Sequence, residues 1–267
     1  MDRIDIVYVF GAGSVQGAWD PVLRAVEKMV HHPVGHDVAN WWFGLQGSFT
    51  HLIASWGRLR DEELEARFGK GDHNETRRRM ARQDEQSRAE MRDLKNAIAD
   101  ELRAAYAKGE IRVREELLEK IAVDAGNGRT AILTANWDLC LDKWLEGADE
   151  PVKIVHLHGD ISEPTGMLLP GERPEELFRT AEGNVRITDA CWRAMIIFGF
   201  ARRVYVVGLS LSPVDAAPGV ALGMGLKSAQ QPGEIVVVNR KCEMGRIVRQ
   251  IRMLAPEGWR IWEMPVS

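Results

Sequence analysis

Six short runs of β-branched, aromatic and apolar residues, each bounded by turn residues, give this chain the pattern of strands. They cover Ile4 to Phe10, Thr130 to Thr134, Lys153 to Leu157, Arg203 to Val207, Glu234 to Asn239 and Trp259 to Glu263. Val204-Tyr205-Val206-Val207 and Ile235-Val236-Val237-Val238 are continuously apolar, as strands buried on both faces of a parallel sheet require. Between these runs, apolar residues recur every three or four positions over Asp20 to Val30, Trp137 to Leu145, Ile187 to Phe200 and Lys241 to Leu254, which predicts amphipathic helices. Strand alternating with helix predicts an α/β fold with a doubly wound, mostly parallel sheet.

Residues 58–126 break that alternation. The stretch is rich in Arg, Glu, Asp, Lys and Ala, and its clearest stripe is Met91, Leu94, Ile98, Leu102 and Tyr106. That spacing predicts one amphipathic helix, with an earlier one over Asp61 to Phe68 and a later one over Val113 to Val123. The segment reads as a helical insertion within a domain that spans residues 1–267, its stripe packed against the main body.

Composition narrows the classes. Of 267 residues, 45% are hydrophobic and 28% charged, so the chain has the makings of a globular core rather than a disordered or fibrous one. A formal net charge of −4 supplies no global basic field, and the run Arg77-Arg78-Arg79 reads as a solvated helix face, which argues against a nucleic-acid partner. Cys140, Cys191 and Cys242 include no Cys-x-x-Cys pair, which argues against a disulfide framework and against a four-cysteine zinc site, and no metal is expected. No apolar run approaches the roughly 20 residues of a membrane helix. With a strand expected a few residues after Met1, no secretion signal is expected, and the expected location is cytoplasmic.

Chemistry-bearing residues fall at the ends of the expected strands, where ligands collect in open α/β sheets. Gly11-Ala12-Gly13-Ser14 follows the first strand; glycines there admit a pyrophosphate next to a helix N-terminus, although a tight turn selects them equally well. Asn136 and Asp138 follow the second strand, where helix capping explains one of them more readily than both. His156 and His158 follow the third. Strand alternation places both on one side, with His158 nearest the rim before Gly159; His156 reads as a structural histidine and His158 as a group able to transfer protons near neutral pH. Gly208 and Ser210, and then Asn239, end two later strands.

In this order, Gly11-Ala12-Gly13, Thr134-Ala135-Asn136-Trp137-Asp138-Leu139 and Leu157-His158-Gly159 resemble the sirtuin-like, or SIR2-like, NAD-consuming domains, which have a Rossmann-like sheet. The resemblance implies a cofactor-binding set of Gly11, Ala12, Gly13, Ser14, Gly208, Ser210 and Asn239, and a catalytic set of Asn136, Asp138 and His158. It implies NAD as a consumed substrate. The paired cysteines of the zinc ribbon in protein-deacetylating sirtuins are absent, and with the helical insertion this resembles bacterial defence NAD hydrolases. The expected activity is therefore cleavage of the nicotinamide–ribose bond, in antiphage defence, controlled by a homo-oligomer or an activating protein partner. The alternatives are an NAD-dependent protein deacylase and a catalytically inert NAD- or nucleotide-binding scaffold. A Rossmann oxidoreductase would carry an acidic residue at the end of a second strand about twenty residues after its glycines; here that region reads Val34-Gly35-His36-Asp37, with no clear strand.

Overall fold

Six strands form the central sheet: β1 (Ile6–Phe10), β2 (Thr130–Thr134), β3 (Lys153–His156), β4 (Arg203–Val207), β5 (Glu234–Arg240) and β6 (Arg260–Val266). A computed structural model describes residues 4–125, 129–146, 152–172, 179, 181–211 and 216–266. The strands lie in the order β3-β2-β1-β4-β5-β6, and every neighbouring pair is parallel. The chain winds outward from β1 in one direction and then from β4 in the other. The fold is thus a Rossmann-like doubly wound sheet, and its switch point, where a ligand crevice forms, lies between β1 and β4.

Alternation within each strand feeds two cores. Tyr8, Phe10, Ile132, Tyr205, Val207, Val236 and Val238 face one side, together with apolar residues of α1 (Trp19–Val30), α2 (His36–Trp56), α4 (Asn74–Ala107) and α5 (Glu115–Ala125). Val7, Val9, Ala131, Leu133, Val204, Val206, Ile235 and Val237 face the other, under α7 (Ala181–Phe200), α8 (Ala216–Ser228) and α9 (Lys241–Leu254). Each fully buried side chain of this size stabilises the fold by about 1.5–3 kcal/mol relative to exposure. Two-sided burial explains the continuous apolar runs of β4 and β5.

The helical part is longer than expected. α3 (Asp61–Phe68) has the predicted bounds, but α2 lies upstream of residue 58, and the later helix starts at Glu115 because Arg112–Val113 forms a two-residue antiparallel ladder with Val15–Gln16. α2 shows no polar face to mark it: Val38, Trp41, Leu45, Phe49 and Leu52 are exposed while Ala39, Phe43 and Ile53 are buried. On α4, Met91, Leu94, Ile98 and Leu102 are buried as their spacing predicts, whereas Tyr106 is exposed and Ala105 takes the inward place.

The segment after β3 ties this helical layer to the sheet. Gly171, at φ 88°, enters a notch on α2, where a Cβ would stand 2.6 Å from Gly44 Cα. Next to it, the fully buried Glu172 carboxylate pairs with Lys95 of α4 at 2.9 Å and with Arg179 at 3.0 Å. Among the described residues, no helix is long and apolar enough to cross a membrane.

Candidate functional site

β1 passes into its glycine turn without breaking the ladder, since Gly11 N–H donates to the Val207 carbonyl at 3.0 Å. Ala12–Ser14 then make a single 3-10 turn, and α1 starts only at Trp19. The helix therefore does not follow the glycines directly, contrary to the expectation of a helix N-terminus at that turn. The glycines face another turn instead. Gly13 N–H donates to Gly208 O at 3.0 Å, and a Cβ on Gly208 would lie 2.4 Å from Gly13 C. With Gly208 at φ 58°, the two strand-end turns fit together only as glycine.

Ser14 stands behind this turn. Its buried hydroxyl donates to Gly11 O at 2.7 Å and accepts from Asn136 Nδ2 at 3.3 Å. It is not among the residues that line the cleft described below; what it touches there is Asn136, which it supports from behind.

Asn136 follows β2 with its backbone N–H on Thr134 Oγ1 at 3.1 Å. The helix expected from Trp137 begins only at Cys140, giving α6 (Cys140–Leu145), and this leaves Asn136, Trp137 and Asp138 in an irregular turn. Asp138 Oδ1 accepts from Cys140 N–H at 3.0 Å, an Asx turn just ahead of the helix, whose cap position is Leu139. Asn136 keeps a buried Oδ1 with no hydrogen-bond partner among the described residues, a costly arrangement in the absence of a ligand. Burial holds the Asp138 carboxyl above the ordinary carboxylate range, with the Cys140 hydrogen bond and the charge of His156 opposing it only in part.

β3 ends at His156 rather than Leu157, and the strict alternation ends with it. The two histidines consequently open onto different cavities. His158 Nδ1 lies 3.0 Å from the Ala135 carbonyl; because a carbonyl only accepts, Nδ1 carries a proton. Gly159, at φ 67°, makes the turn, and a Cβ there would stand 2.8 Å from Gly166 O.

A cleft of ≈ 860 Å³ gathers Gly11, Ala12, Gly13, Asn136, Asp138 and His158 at the carboxyl ends of β1, β2 and β3. It continues past Gly208 and Ser210 to Asn239. Asn239 has both ends of its amide engaged, donating to Leu209 O at 3.2 Å and accepting from Arg240 N–H at 2.8 Å, so it fastens the β4 turn to β5. All the expected site residues except Ser14 thus share one cleft.

Several lining residues carried no motif. Arg114 reaches the glycine turn from the helical layer, its Nε donating to Gly13 O at 3.0 Å. Trp19 packs edge-on against His36 at 4.3 Å and faces Trp137 at 6.5 Å, and His36, Asp37 and Asn40 bring the start of α2 to the rim. At the far end, Arg246 donates to Ser210 O at 2.8 Å and pairs with Glu243 at 2.6 Å, which holds the Glu243 carboxyl below its ordinary range. Arg114, Arg240 and Arg246 set cationic groups against Asp20, Asp37 and Glu243 along the walls. Such a lining suits a long ligand with anionic and hydroxyl-bearing parts. Among the described residues, no cluster of His, Cys, Asp and Glu could hold a metal ion.

Comparison with protein-family models, with curated proteins and with solved structures finds no match to this chain.

Proposed function

We propose that this chain is an NAD glycohydrolase that releases nicotinamide and ADP-ribose. The observation that carries the reading is the convergence of Asn136, Asp138 and His158 with the Gly11–Gly13 turn in one cleft at the switch point of the sheet. Residues from three strand ends, the first more than a hundred positions from the other two, meet where open parallel sheets bind ligands.

The chemistry follows from the groups present. The glycosidic bond breaks with its electron pair leaving on the nicotinamide nitrogen, and positive charge develops at the ribose carbon. Asp138 supplies a carboxyl group at the reacting end of the cleft, gripping the carboxamide. Asn136, braced by Ser14, orients the ribose hydroxyls and the incoming water with its Oδ1, which has no partner among the described residues. His158 Nε2 takes the proton of that water as it adds to the ribose carbon, so that NAD and water give nicotinamide, ADP-ribose and a proton. Arg114 lies at the Gly11–Gly13 turn, where its guanidinium suits a pyrophosphate.

An acyl-lysine peptide in place of water would make the protein a deacylase; in defence against phage, water is the acceptor and NAD is depleted. Unregulated depletion would harm the host, so activity is set by self-assembly or by an activating protein partner. The test is to incubate the purified chain with NAD at several protein concentrations and follow nicotinamide, NADH and acyl-peptide turnover separately. Nicotinamide release without peptide, with specific activity rising with concentration, supports the reading. NADH formation or binding without turnover overturns it.

A further inference from the structure

His156 lies outside the cleft and outside the chemistry just described, yet both of its ring nitrogens face acceptors. Nδ1 is 3.3 Å from the Asn136 carbonyl, and Nε2 is 3.1 Å from each carboxylate oxygen of Asp142. A carbonyl and a carboxylate accept hydrogen bonds and donate none, while a neutral imidazole carries one N–H. Both contacts are made together only by the doubly protonated ring. A buried charge requires a partner, and Asp142, at the start of α6, is one.

We propose that His156 is a positioning residue: an imidazolium bridging Asp142 to the Asn136 backbone, which holds the turn that carries Asn136 and Asp138 into the cleft. This rests on the reading of Asn136 and Asp138 as groups that meet the ligand. The bridge joins β3 to the turn after β2 and to the first turn of α6, so it fixes three elements at the point where the reacting side chains leave the sheet.

The surroundings of the ring favour its charge. Asp138 lies beside it in the turn after β2. On the open side, a cavity of ≈ 300 Å³ is lined by Asp160 and Glu163 from the loop after β3 and by Arg186, Asp189 and Arg193 from α7. Both arginines are already paired, Arg186 with Glu163 and Arg193 with Asp189, so the carboxylates of Asp142 and Asp160 dominate at the ring. Burial opposes protonation, but the Asp142 hydrogen bond and charge, then Asp160 and the Asn136 carbonyl, exceed it and raise the histidine above its ordinary 6.5. The bridge is therefore complete below that ordinary value and is lost as pH rises through the raised one.

The experiment is a histidine-selective NMR titration of the full chain without nucleotide, with His156 assigned by its loss in His156→Gln and its partner tested in Asp142→Asn. Expected are protonated-type shifts at both His156 nitrogens at neutral pH, a midpoint above 6.5, an Asn136 amide signal that follows the same midpoint, and a lower midpoint in Asp142→Asn. A single neutral tautomer at neutral pH, a midpoint at or below 6.5, or an Asn136 amide that ignores the titration overturns the bridge. In turnover assays, His156→Gln is expected to lose about tenfold in kcat, as displaced reacting groups do, with little change in KM, and to lose the alkaline decline of the parent. An alkaline decline that survives in His156→Gln overturns the positioning role. Because the titration uses no substrate, a protein that shows the bridge but releases no nicotinamide refutes the hydrolase reading, while a neutral ring refutes the bridge whatever the turnover.

Discussion

Gly13 and Gly208 meet backbone against backbone: a Cβ on Gly13 would stand 2.9 Å from Gly208 Cα, and one on Gly208 2.4 Å from Gly13 C. The glycines that the sequence presents as a phosphate-binding turn are thus required by the fit of two strand-end turns even without a ligand. Gly208→Ala is expected to cost ~1–2 kcal/mol for its left-handed backbone and about 1–3 kcal/mol more for overpacking. Gly13→Ala carries only the overpacking cost. Urea denaturation without nucleotide measures both. A Gly13→Ala protein as stable as the parent would mean that the glycine serves the ligand alone.

Asp138 illustrates a site group that strains its own fold. Its carboxyl is raised by burial, so the folded chain holds that proton more tightly than the unfolded one. Stability is fully present below the unfolded value and falls as pH rises through the folded one. Asp138→Asn keeps an oxygen acceptor for Cys140 N–H and removes the charge. Its melting temperature at neutral pH is expected to rise, each kcal/mol gained appearing as about 2–4 °C in a chain of this size, while nicotinamide release falls at least tenfold. A melting temperature that drops, as it would if the carboxylate charge stabilised the turn, counts against this account.

The sheet was legible because β1, β4 and β5 are buried on both faces and so carry unbroken apolar runs. α9 was legible for the opposite reason, with Met244, Ile247, Val248 and Ile251 buried on one face only. α2 and α8 left no such trace. α8 reads Ala-Ala-Pro-Gly-Val-Ala-Leu-Gly-Met-Gly over its first ten positions, a composition that predicts a loop. Its Gly225 is there because α7 comes so close that a Cβ would stand 2.4 Å from Phe198 Cβ, a tertiary reason invisible to local pattern. The strand-end residues of the site were legible by type and order, but Arg114 was not: the ladder between Val15–Gln16 and Arg112–Val113, with Arg114 N–H on Ser14 O, brings it to the glycine turn.

The buried Lys95–Glu172–Arg179 cluster joins α4 to the segment beside the cleft, where Pro170 forms part of the wall and Leu168 N–H donates to His158 O at 2.7 Å. Glu172→Gln removes the charge that two buried cations face and is expected to destabilise by about 3–5 kcal/mol. Lys95→Met leaves the Glu172 carboxylate with Arg179 and the Leu169 N–H and should cost clearly less. Denaturation of both variants checks the order; a more stable Glu172→Gln protein would show that the cluster is not held by its carboxylate.

The assignment of His158 separates a base from a structural donor. Its Nδ1–H is engaged by the Ala135 carbonyl, so Nε2 is the ring nitrogen proposed to take the proton from water. Asparagine at this position supplies an amide N–H in place of the Nδ1 donor but no basic nitrogen. His158→Asn is therefore expected to melt within a few degrees of the parent and to bind NAD with similar affinity, yet to release nicotinamide ~10²–10⁴ times more slowly, the usual contribution of a general base. His158→Ala, which also leaves the Ala135 carbonyl without its donor, should lose the same activity and some stability. Calorimetric binding, thermal melting and single-turnover nicotinamide release distinguish these outcomes. If folded His158→Asn turns over NAD at the parent rate, the proton leaves by another route and His158 is no more than the clasp between the ends of β2 and β3.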